Sequence, residues 1–465
     1  MNGAGVFPYD LVKKNNNIII YGLGMIGRGY IEQIKITDYC NIVAVSDKKR
    51  PDNDCVYKYI EPKQLCNENF DYIVISVADI DISTDIFWEL IRLNVKREKI
   101  ISNHLSRSVF FPRYTPEDVK IMENEEENLK IAITLDGGLG DFIIALSFIR
   151  RLKELVSNIQ IDIYGKKWIS DVIFGTEDYI SGIYFADTGI ENPDKFERRY
   201  DVAFRILFVV RVEYINHYSV KHKSKELYEK IILSMNDSRI NDIKHTTDLF
   251  LEIHQRAKKL GFNRYQFLGQ GDIWNLSAEK SKLYLAEKYE DKFKELNLGR
   301  YITFNYGASN VPGQEGRTQT KVWSRYNFCR FITVLKKEYP DIKVIQLGDK
   351  NSNVIEEADL SLIDNNLELV KHILANAVFH LDGEGGLVHM ATQLGTKCVV
   401  LFGPTPVWFY GYSSNINIVS DVCGDCCHLK HTWYTVCLLN SGAARCMEAI
   451  TVDRVMDEVR PLLII

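Results

Sequence analysis

Three times along this 465-residue chain, a short apolar run ends in a cluster of glycines that leads directly into a helix-like run. The clusters read GLGMIG at 22–27, GGLGD at 137–141 and EGG at 384–386. Alternating strands and helices predict parallel sheets covered by helices, and each glycine turn sets backbone amides at a helix start. Because one core rarely serves more than about 250–300 residues, the length predicts two or three domains, and the strand–helix pattern predicts three α/β units in series.

The expected fold class is α/β, with an N-terminal Rossmann-like domain followed by a pair of facing Rossmann-like domains. Runs 72–79 and 201–209 are each expected to form one strand, and the charged run 278–296 is expected to form a helix. The expected boundaries are residues 1–115 for the accessory domain, 116–128 for an acidic linker, 129–275 for the second domain and 276–465 for the third.

Bulk composition argues against several classes of protein. A net charge of −5 gives no sign of a nucleic-acid partner. No apolar run approaches the ~18 residues of a spanning helix, and the N-terminus lacks the layout of a secretion signal. The cytoplasm is therefore the expected location, where thiols stay reduced.

Five of the ten cysteines fall between 423 and 446, and such a cluster in a reducing compartment points to metal rather than to disulfides. A CxxC pair plus two further thiols fits a tetrahedral thiolate site for iron or zinc. The alternative is a set of small buried residues. The expected ligands are Cys423, Cys426, Cys437 and Cys446, with Cys427, His428 and His431 as substitutes.

The first glycine cluster has the context of a dinucleotide site. Gly22 permits the tight turn, Gly24 lets a pyrophosphate approach the backbone, and Gly27 allows close helix packing. Asp47 ends the next strand, where a ribose hydroxyl would be held. The alternative is a domain that keeps the fold and binds no nucleotide, since a motif alone does not decide function.

The second cluster offers Asp141 at the start of a helix, behind Gly137, Gly138 and Gly140. One interpretation is structural, because aspartate often caps a helix. The other makes the carboxylate a general base that faces a cleft.

The third cluster predicts an anion site. Glycines at a helix start leave amides free for a phosphate, and a lysine supplies a mobile positive charge. The acidic Glu384 suits a sugar or ribose hydroxyl better than a phosphate, and His389 is either functional or packed. The donor-side candidates are Arg317, Lys321, Glu384, Gly385, Gly386, His389 and Thr405.

The segments GGLGDFIIALSFIRRLK, KVW and EGGLVHMATQLGTKCVVLFGPT resemble glycosyltransferase family nine, the heptosyltransferase family, across about 129–465. The resemblance implies a GT-B fold and transfer of a sugar, commonly from ADP-heptose, with inversion at the anomeric carbon. It implies Asp141 as the base, Lys321 near the departing diphosphate, and Glu384 and His389 at the donor. Glu384 stands where the family commonly has Asp, so UDP-, GDP- and dTDP-sugars stay open as donors.

No DxD-type acidic pair is placed to hold a divalent ion on a diphosphate, so no cofactor is expected for catalysis. The cysteine block resembles that of the bacterial autotransporter heptosyltransferases, which modify protein hydroxyls and carry an iron site of four cysteines. The acceptor is expected to be a glycan or protein hydroxyl. Contact with the inner membrane face and oligomer formation stay open.

Two other functions stay open. One is a nucleotide-dependent oxidoreductase or epimerase built on the N-terminal domain, which would need a proton donor such as a Tyr-x-x-x-Lys pair downstream of the glycine cluster. The other is a non-catalytic nucleotide-sugar-binding protein, which would not need Asp141, Lys321 and His389 together.

Overall fold

A computed structural model describes residues 5–49, 56–103, 128–185, 200–240, 249–307, 320–426, 437–439 and 444–464. These parts of the chain contain three separate sheets. The expected α/β class with three Rossmann-like units is therefore confirmed. Several residues of interest lie outside the described ranges, namely most of the expected linker 116–128, Arg317, Cys427, His428 and His431.

The N-terminal domain is built on a four-stranded parallel sheet. Its elements are β1 (Asn17–Tyr21), α1 (Met25–Thr37), β2 (Asn41–Ser46), β3 (Tyr72–Ile75), α2 (Ile80–Arg92) and β4 (Ile100–Ser102), with 3₁₀ turns at Pro62–Asn67 and Arg97–Lys99. The strand order is β2-β1-β3-β4. Ile20 faces one apolar cluster and Ile19 the other, so both faces of the sheet are buried. The strand expected at 72–79 is shorter and ends at Ile75.

The first lobe (residues 129–275) contains a five-stranded sheet in the order β7-β6-β5-β8-β9. All its pairs are parallel except β8–β9, which is antiparallel. Its elements are β5 (Leu129–Leu135), α3 (Leu139–Leu155), β6 (Ile159–Gly165), α4 (Lys167–Phe174), β7 (Ile180–Phe185), β8 (Val202–Ile206), β9 (Val210–Ile215), α5 (His217–Lys223), α6 (Lys225–Asn236), α7 (Leu249–Leu260) and α8 (Arg264–Leu268).

The strand expected at 201–209 is shorter, because β8 ends at Ile206, and it pairs with β9 in an antiparallel hairpin. The chain turns after Ile206, and Arg264 donates to the backbone oxygens of Leu207 at 2.7 Å and Phe208 at 3.0 Å. Carbonyl groups that would continue a strand are therefore used by a buried guanidinium group.

The second lobe (residues 276–465) contains a six-stranded parallel sheet in the order β12-β11-β10-β13-β14-β15. Its helices α12 and α15 are the ones expected after the third glycine cluster and at the chain end. Its elements are α9 (Glu290–Glu295), β10 (Tyr301–Asn305), α10 (Arg325–Glu338), β11 (Lys343–Gly348), β12 (Leu360–Ile363), α11 (Leu367–Ala375), β13 (His380–Gly383), α12 (Gly386–Gln393), β14 (Cys398–Phe402), α13 (Val407–Tyr410), β15 (Ile416–Val419), α14 (Arg445–Glu448) and α15 (Val452–Leu463).

The prediction of one continuous helix over 278–296 is wrong. The segment forms 3₁₀ turns at Ala278–Ser281 and Glu287–Tyr289 before the short helix α9. Between them the chain bonds elsewhere: Arg150 donates to Lys282 O at 2.7 Å, and Leu283 N donates to Gln393 O at 3.0 Å. These tertiary bonds outweigh the helix propensity of a charged run.

The two lobes meet where α3 and α12 begin, and one apolar cluster includes residues of both. A Cβ added at Gly140 would lie 2.6 Å from His389 Cδ2, and one added at Gly386 would lie 2.9 Å from Leu139 Cβ. The close contact between the starts of α3 and α12 therefore requires glycine at both Gly140 and Gly386. The expected facing arrangement of the two lobes is confirmed.

The N-terminal domain packs on the first lobe through an aromatic contact. The rings of Trp88 and Tyr218 lie 5.4 Å apart, and the guanidinium of Arg92 lies 4.7 Å from the centre of the Tyr218 ring. Among the described residues, none of the helices has the length and apolar character needed to span a bilayer.

The same substitution at two glycines of α1 is expected to change the stability of the N-terminal domain in opposite directions. A Cβ at Gly27 would lie 1.9 Å from Gly22 O, so Gly27→Ala should destabilise the N-terminal domain by about 1–3 kcal/mol or more. A Cβ at Gly29 meets only Gln33 Nε2 at 4.0 Å, so Gly29→Ala should stabilise the domain by about 0.5–1 kcal/mol. Hydrogen exchange of β1 and β3 amides measures both effects. Equal protection in the two variants would contradict the close helix–strand packing.

Candidate active site

The loop after β5 is held rigidly by local bonds. Gly137 has φ +109°, and a Cβ there would lie 2.4 Å from Asp141 Oδ2. Gly138 N donates to Asp141 Oδ2 at 3.0 Å, so Asp141 caps its own helix as the structural interpretation expects. Lys166 Nζ donates to Gly137 O at 2.7 Å and fixes the other side of the loop.

The second oxygen of Asp141 has a partner that the sequence analysis missed. Arg264 Nη2 lies 3.2 Å from Asp141 Oδ1, and the Arg264 side chain is only 2% exposed, whereas Asp141 is 28% exposed. The capping role and the cleft-facing role are therefore compatible, because each oxygen has a different partner. In the sequence, Arg264 looks like an ordinary surface charge in a short helix after a capping Asn263.

In the second lobe, beside the contact between α3 and α12, Glu384 is buried between two basic side chains. It forms an ion pair with Lys321, and its Oε1 lies 3.7 Å from His389 Nε2. Burial alone would raise the pKa of Glu384, but Lys321 and then His389 outweigh it and lower that pKa to about 2. The carboxylate is therefore ionised at neutral pH, and Lys321 is paired with it inside the protein.

His389 is buried, and its two ring nitrogens face different groups: Nδ1 is hydrogen-bonded, and Nε2 faces Glu384. Its Nδ1 lies 2.6 Å from the hydroxyl of Tyr412, which in turn lies 3.1 Å from the hydroxyl of Tyr265. The glycine motif marks His389 as a candidate but marks neither tyrosine. No local pattern marks a tyrosine whose partner lies far away in the chain.

The remaining donor-side candidates differ in their surroundings. A Cβ at Gly385 would meet only Gly383 O, at 3.8 Å, so the space beside this residue is open. Gly386, by contrast, packs against Leu139 of the first lobe. Thr405 is buried in the turn after β14. Gly385, rather than Gly386, is therefore the glycine with open space for a ligand.

The four cysteines of the expected metal site lie in one neighbourhood of the second lobe. Burial first, and then the thiols of Cys423, Cys426 and Cys437, raise the pKa of Cys446 to about 12. Burial and the neighbouring Cys423 and Cys437 also raise the pKa of Cys426. In the described ranges, however, no group of three or more His, Cys, Asp or Glu side chains is arranged to hold a metal ion. Electrostatic influence reaches further than a metal–sulfur bond, so the two observations are compatible.

The glycine loop of the N-terminal domain is held by Asp47. Its Oδ2 accepts from Leu23 N at 2.7 Å, and its Oδ1 accepts from Lys49 N at 3.2 Å. Gly22 has φ +104°, whereas a Cβ at Gly24 would have nothing within 4 Å. The open space at Gly24 agrees with the nucleotide hypothesis. The bonds of Asp47 give it a structural role that the sequence analysis did not consider.

No protein-family model and no curated protein matches this chain. Among solved structures, the chain is similar to the ADP-heptose lps heptosyltransferase II of E. coli, with 17% identity, a TM-score of 0.46, and 72% of this chain and 99% of that chain covered. It is also similar to the glycosyl transferase family 9 protein of Veillonella parvula, at 14% identity and a TM-score of 0.45, over 72% of this chain and 97% of the other.

A third similar structure is the iron-containing dodecameric glycosyltransferase TibC of enterotoxigenic E. coli. It has 15% identity and a TM-score of 0.47, over 72% of this chain and 79% of that chain. These three similarities concern the fold alone.

The Lys321–Glu384 pair predicts a defined pH dependence of stability. Because the pKa of Glu384 is lowered from 4.5 to about 2 in the folded protein, the pair stabilises the fold above pH 4.5 and loses this effect as the pH falls towards 2. Replacing Lys321 with Met leaves a buried carboxylate without its cation. The free energy of unfolding should therefore fall by up to about 3 kcal/mol near pH 6, and the deficit should shrink on acidification.

Urea unfolding of wild type and Lys321→Met between pH 6 and pH 3 measures this difference. Lys167→Met is the matched control, because Lys167 and Asp171 form an exposed ion pair. The control should change stability by less than about 1 kcal/mol. A deficit for Lys321→Met that stays constant with pH would contradict the assigned ionisation of Glu384.

Proposed function

We propose that the protein is an inverting glycosyltransferase that moves a sugar from a nucleoside-diphosphate donor to a hydroxyl acceptor. The observation that carries this proposal is the contact between two helix starts, one from each lobe, each with its own carboxylate. The open space beside Gly385 is assigned to the edge of a crevice between the lobes. Asp141 lies in the first turn of α3, and Glu384 lies just before α12. Gly140 and His389 are in contact between them.

The crevice is electrostatically suited to a diphosphate. The N-terminal ends of α3 and α12 both carry positive dipole charge, and backbone amides at such ends bind phosphate. Lys321 adds a cation on the donor side, and its ion pair offsets the repulsion that Glu384 alone would exert on a phosphate. Open space beside Gly385 provides room for the ligand. Glu384 is then suited to accept hydrogen bonds from a sugar or ribose hydroxyl.

In the proposed reaction, Asp141 accepts the proton of the acceptor hydroxyl while the acceptor oxygen bonds to the anomeric carbon. The bond from that carbon to the diphosphate breaks on the opposite face, and its electron pair stays on the leaving group. This geometry inverts the anomeric centre. The bond from Arg264 to Asp141 Oδ1 and the bond from Gly138 N to Oδ2 hold the carboxylate in one orientation. The cation and helix amides stabilise the leaving diphosphate, so no divalent metal is needed for this step.

The motif resemblance favours a heptose-type donor and a glycan or protein hydroxyl as acceptor. Three further properties remain predictions: a cytoplasmic location, contact with the inner membrane face, and oligomer formation. So does a nucleotide in the N-terminal domain at Gly22, Gly24, Gly27 and Asp47. The hydrogen bond that Leu23 N donates to Asp47 weakens the oxidoreductase alternative, because the acid expected to hold a ribose already serves the glycine loop.

The four neighbouring thiols are proposed to hold iron or zinc in a structural role. Their chemistry fits such an ion, because a cation removes the mutual repulsion of neighbouring thiolates. Cys446 lies in the apolar core of the second lobe, and Cys423 packs against the same core. A bound ion would therefore tie the segment around Cys423 and Cys426 to that core.

The base assignment predicts a specific loss of turnover. Asp141→Asn keeps the size of the side chain and removes its basicity, so kcat should fall by about 10²–10⁴-fold with little change in donor affinity. A panel of nucleotide sugars, tested first for protection against heat unfolding, identifies the donor. Asp171→Asn on the exposed face of α4 is the control. Near-normal turnover by Asp141→Asn would leave Asp141 as a helix cap only.

The thiol assignment predicts bound metal in the purified protein. Elemental analysis should find iron or zinc near one equivalent, and Cys446→Ala should lose it, because a tetrahedral thiolate site needs its fourth ligand. Chelation should lower the melting temperature, since metal binding contributes to folding. Cys329→Ala is the control, because Cys329 lies in α10 beside Glu357. A reduced, active protein without metal would refute the assignment.

A further inference from the structure

A chain of buried polar side chains connects the first lobe to His389. Gln393 Nε2 lies 3.3 Å from the Tyr265 hydroxyl. That hydroxyl lies 3.1 Å from the Tyr412 hydroxyl, which lies 2.6 Å from His389 Nδ1. At the far side of the ring, Nε2 lies 3.7 Å from Glu384 Oε1. Tyr265 belongs to α8 of the first lobe, and the other four residues belong to the second.

The carboxylate at the end of this chain decides where the histidine proton lies. Lys321 keeps Glu384 ionised, and an ionised carboxylate can only accept hydrogen bonds. The carboxylate therefore favours a proton on the nitrogen that faces it, His389 Nε2, which lies 3.7 Å away. In the uncharged ring the other nitrogen, Nδ1, is then an acceptor, so Tyr412 has to donate to it.

The direction of the remaining bonds follows. Burial raises the pKa of Tyr412 well above 10, and burial also raises the pKa of Tyr265, so both hydroxyls keep their protons. Because the Tyr412 hydroxyl donates its hydrogen bond to His389 Nδ1, its oxygen accepts a hydrogen bond from the Tyr265 hydroxyl. The Tyr265 oxygen in turn accepts from the amide of Gln393. The reversed direction would set a bare nitrogen lone pair against the Glu384 carboxylate.

We propose that Gln393, Tyr265 and Tyr412 form a one-way hydrogen-bond relay that holds His389 with its proton on Nε2, directed at Glu384 and the crevice. The three are positioning residues for His389. A Cβ at Gly140 would lie 3.1 Å from Nε2, so the donor nitrogen lies beside the loop of Asp141.

The relay links His389 to the meeting of the lobes. Tyr265 is the only one of its members from the first lobe, so separation of the lobes breaks the bonds from Gln393 and to Tyr412. Arg264, the preceding residue, bonds to Asp141. The first turn of α8 therefore orients the proposed base and, through Tyr412, the donor-side histidine.

The position of the proton is measurable without turnover. In the full-length protein labelled with ¹⁵N-histidine, the signals of His389 are assigned by their loss in a His389→Asn variant. The relay requires a protonated Nε2 and an unprotonated, hydrogen-bonded Nδ1. A proton on Nδ1, a mixture of the two tautomers, or a doubly protonated ring would overturn it.

Three Tyr→Phe variants, one of them a control, test the order of the hydrogen bonds in the relay. Tyr412→Phe should move the ¹⁵N chemical shift of His389 Nδ1 towards the value of an unprotonated nitrogen that accepts no hydrogen bond. Tyr265→Phe, which does not touch His389, should move it in the same direction by less. Tyr284→Phe removes a hydroxyl from an exposed tyrosine and should leave the signal unchanged. If Tyr265→Phe gives the same spectrum as Tyr284→Phe, the relay does not exist.

The consequence for catalysis rests on the proposed transferase function. Once a donor is identified, loss of the Tyr412 hydrogen bond should lower kcat by up to about tenfold, with little change in the acceptor KM. An unchanged kcat in Tyr412→Phe refutes the positioning role. If no nucleotide sugar is turned over, the proposed function fails while the tautomer result still decides the relay.

Discussion

The close approach of α3 and α12 is the contact on which the rest of the site depends. It exists because Gly140 and Gly386 present no side chains where the two helices begin. Two positive helix ends so close together repel each other, and a negative charge near each end offsets this cost. Asp141 and Glu384 supply one such charge apiece. The same arrangement leaves a crevice whose field favours a further anion, which is the physical basis of the proposed diphosphate site.

Each of these carboxylates is matched by a cation: Arg264 for Asp141, and Lys321 for Glu384. Buried ion pairs contribute little net stability, because desolvation of both charges consumes most of the attraction. Their value here lies in orientation. Asp141 is bonded through both oxygens and Glu384 faces both Lys321 and His389, so the polar groups of the crevice are set before any ligand arrives. Preorganisation of this kind is the main way in which proteins stabilise developing charge.

Much of the fold was predictable, because strand and helix periodicity are local properties. The strands β5, β10 and β14 and the helices α3, α12 and α15 follow the expected pattern. The failures have one cause in common. The run 278–296 has the composition of a helix, yet Arg150 and Gln393 bond to its backbone and hold part of it extended. The strand expected at 201–209 ends early, at Ile206, and Arg264 bonds to the next backbone carbonyl, that of Leu207.

The amino-acid pattern is enough to predict the three α/β units, the glycine turns and the capping role of Asp141, whose partner Gly138 lies three residues away, because short spacings dictate short-range geometry. The long-range partners of the site residues follow from the packing of the sheets. Arg264 lies 123 positions from Asp141, Tyr265 lies 147 from Tyr412, and Lys321 lies 63 from Glu384. Local propensity holds no information about such pairs, since they form only when separate sheets pack and bring their ends together.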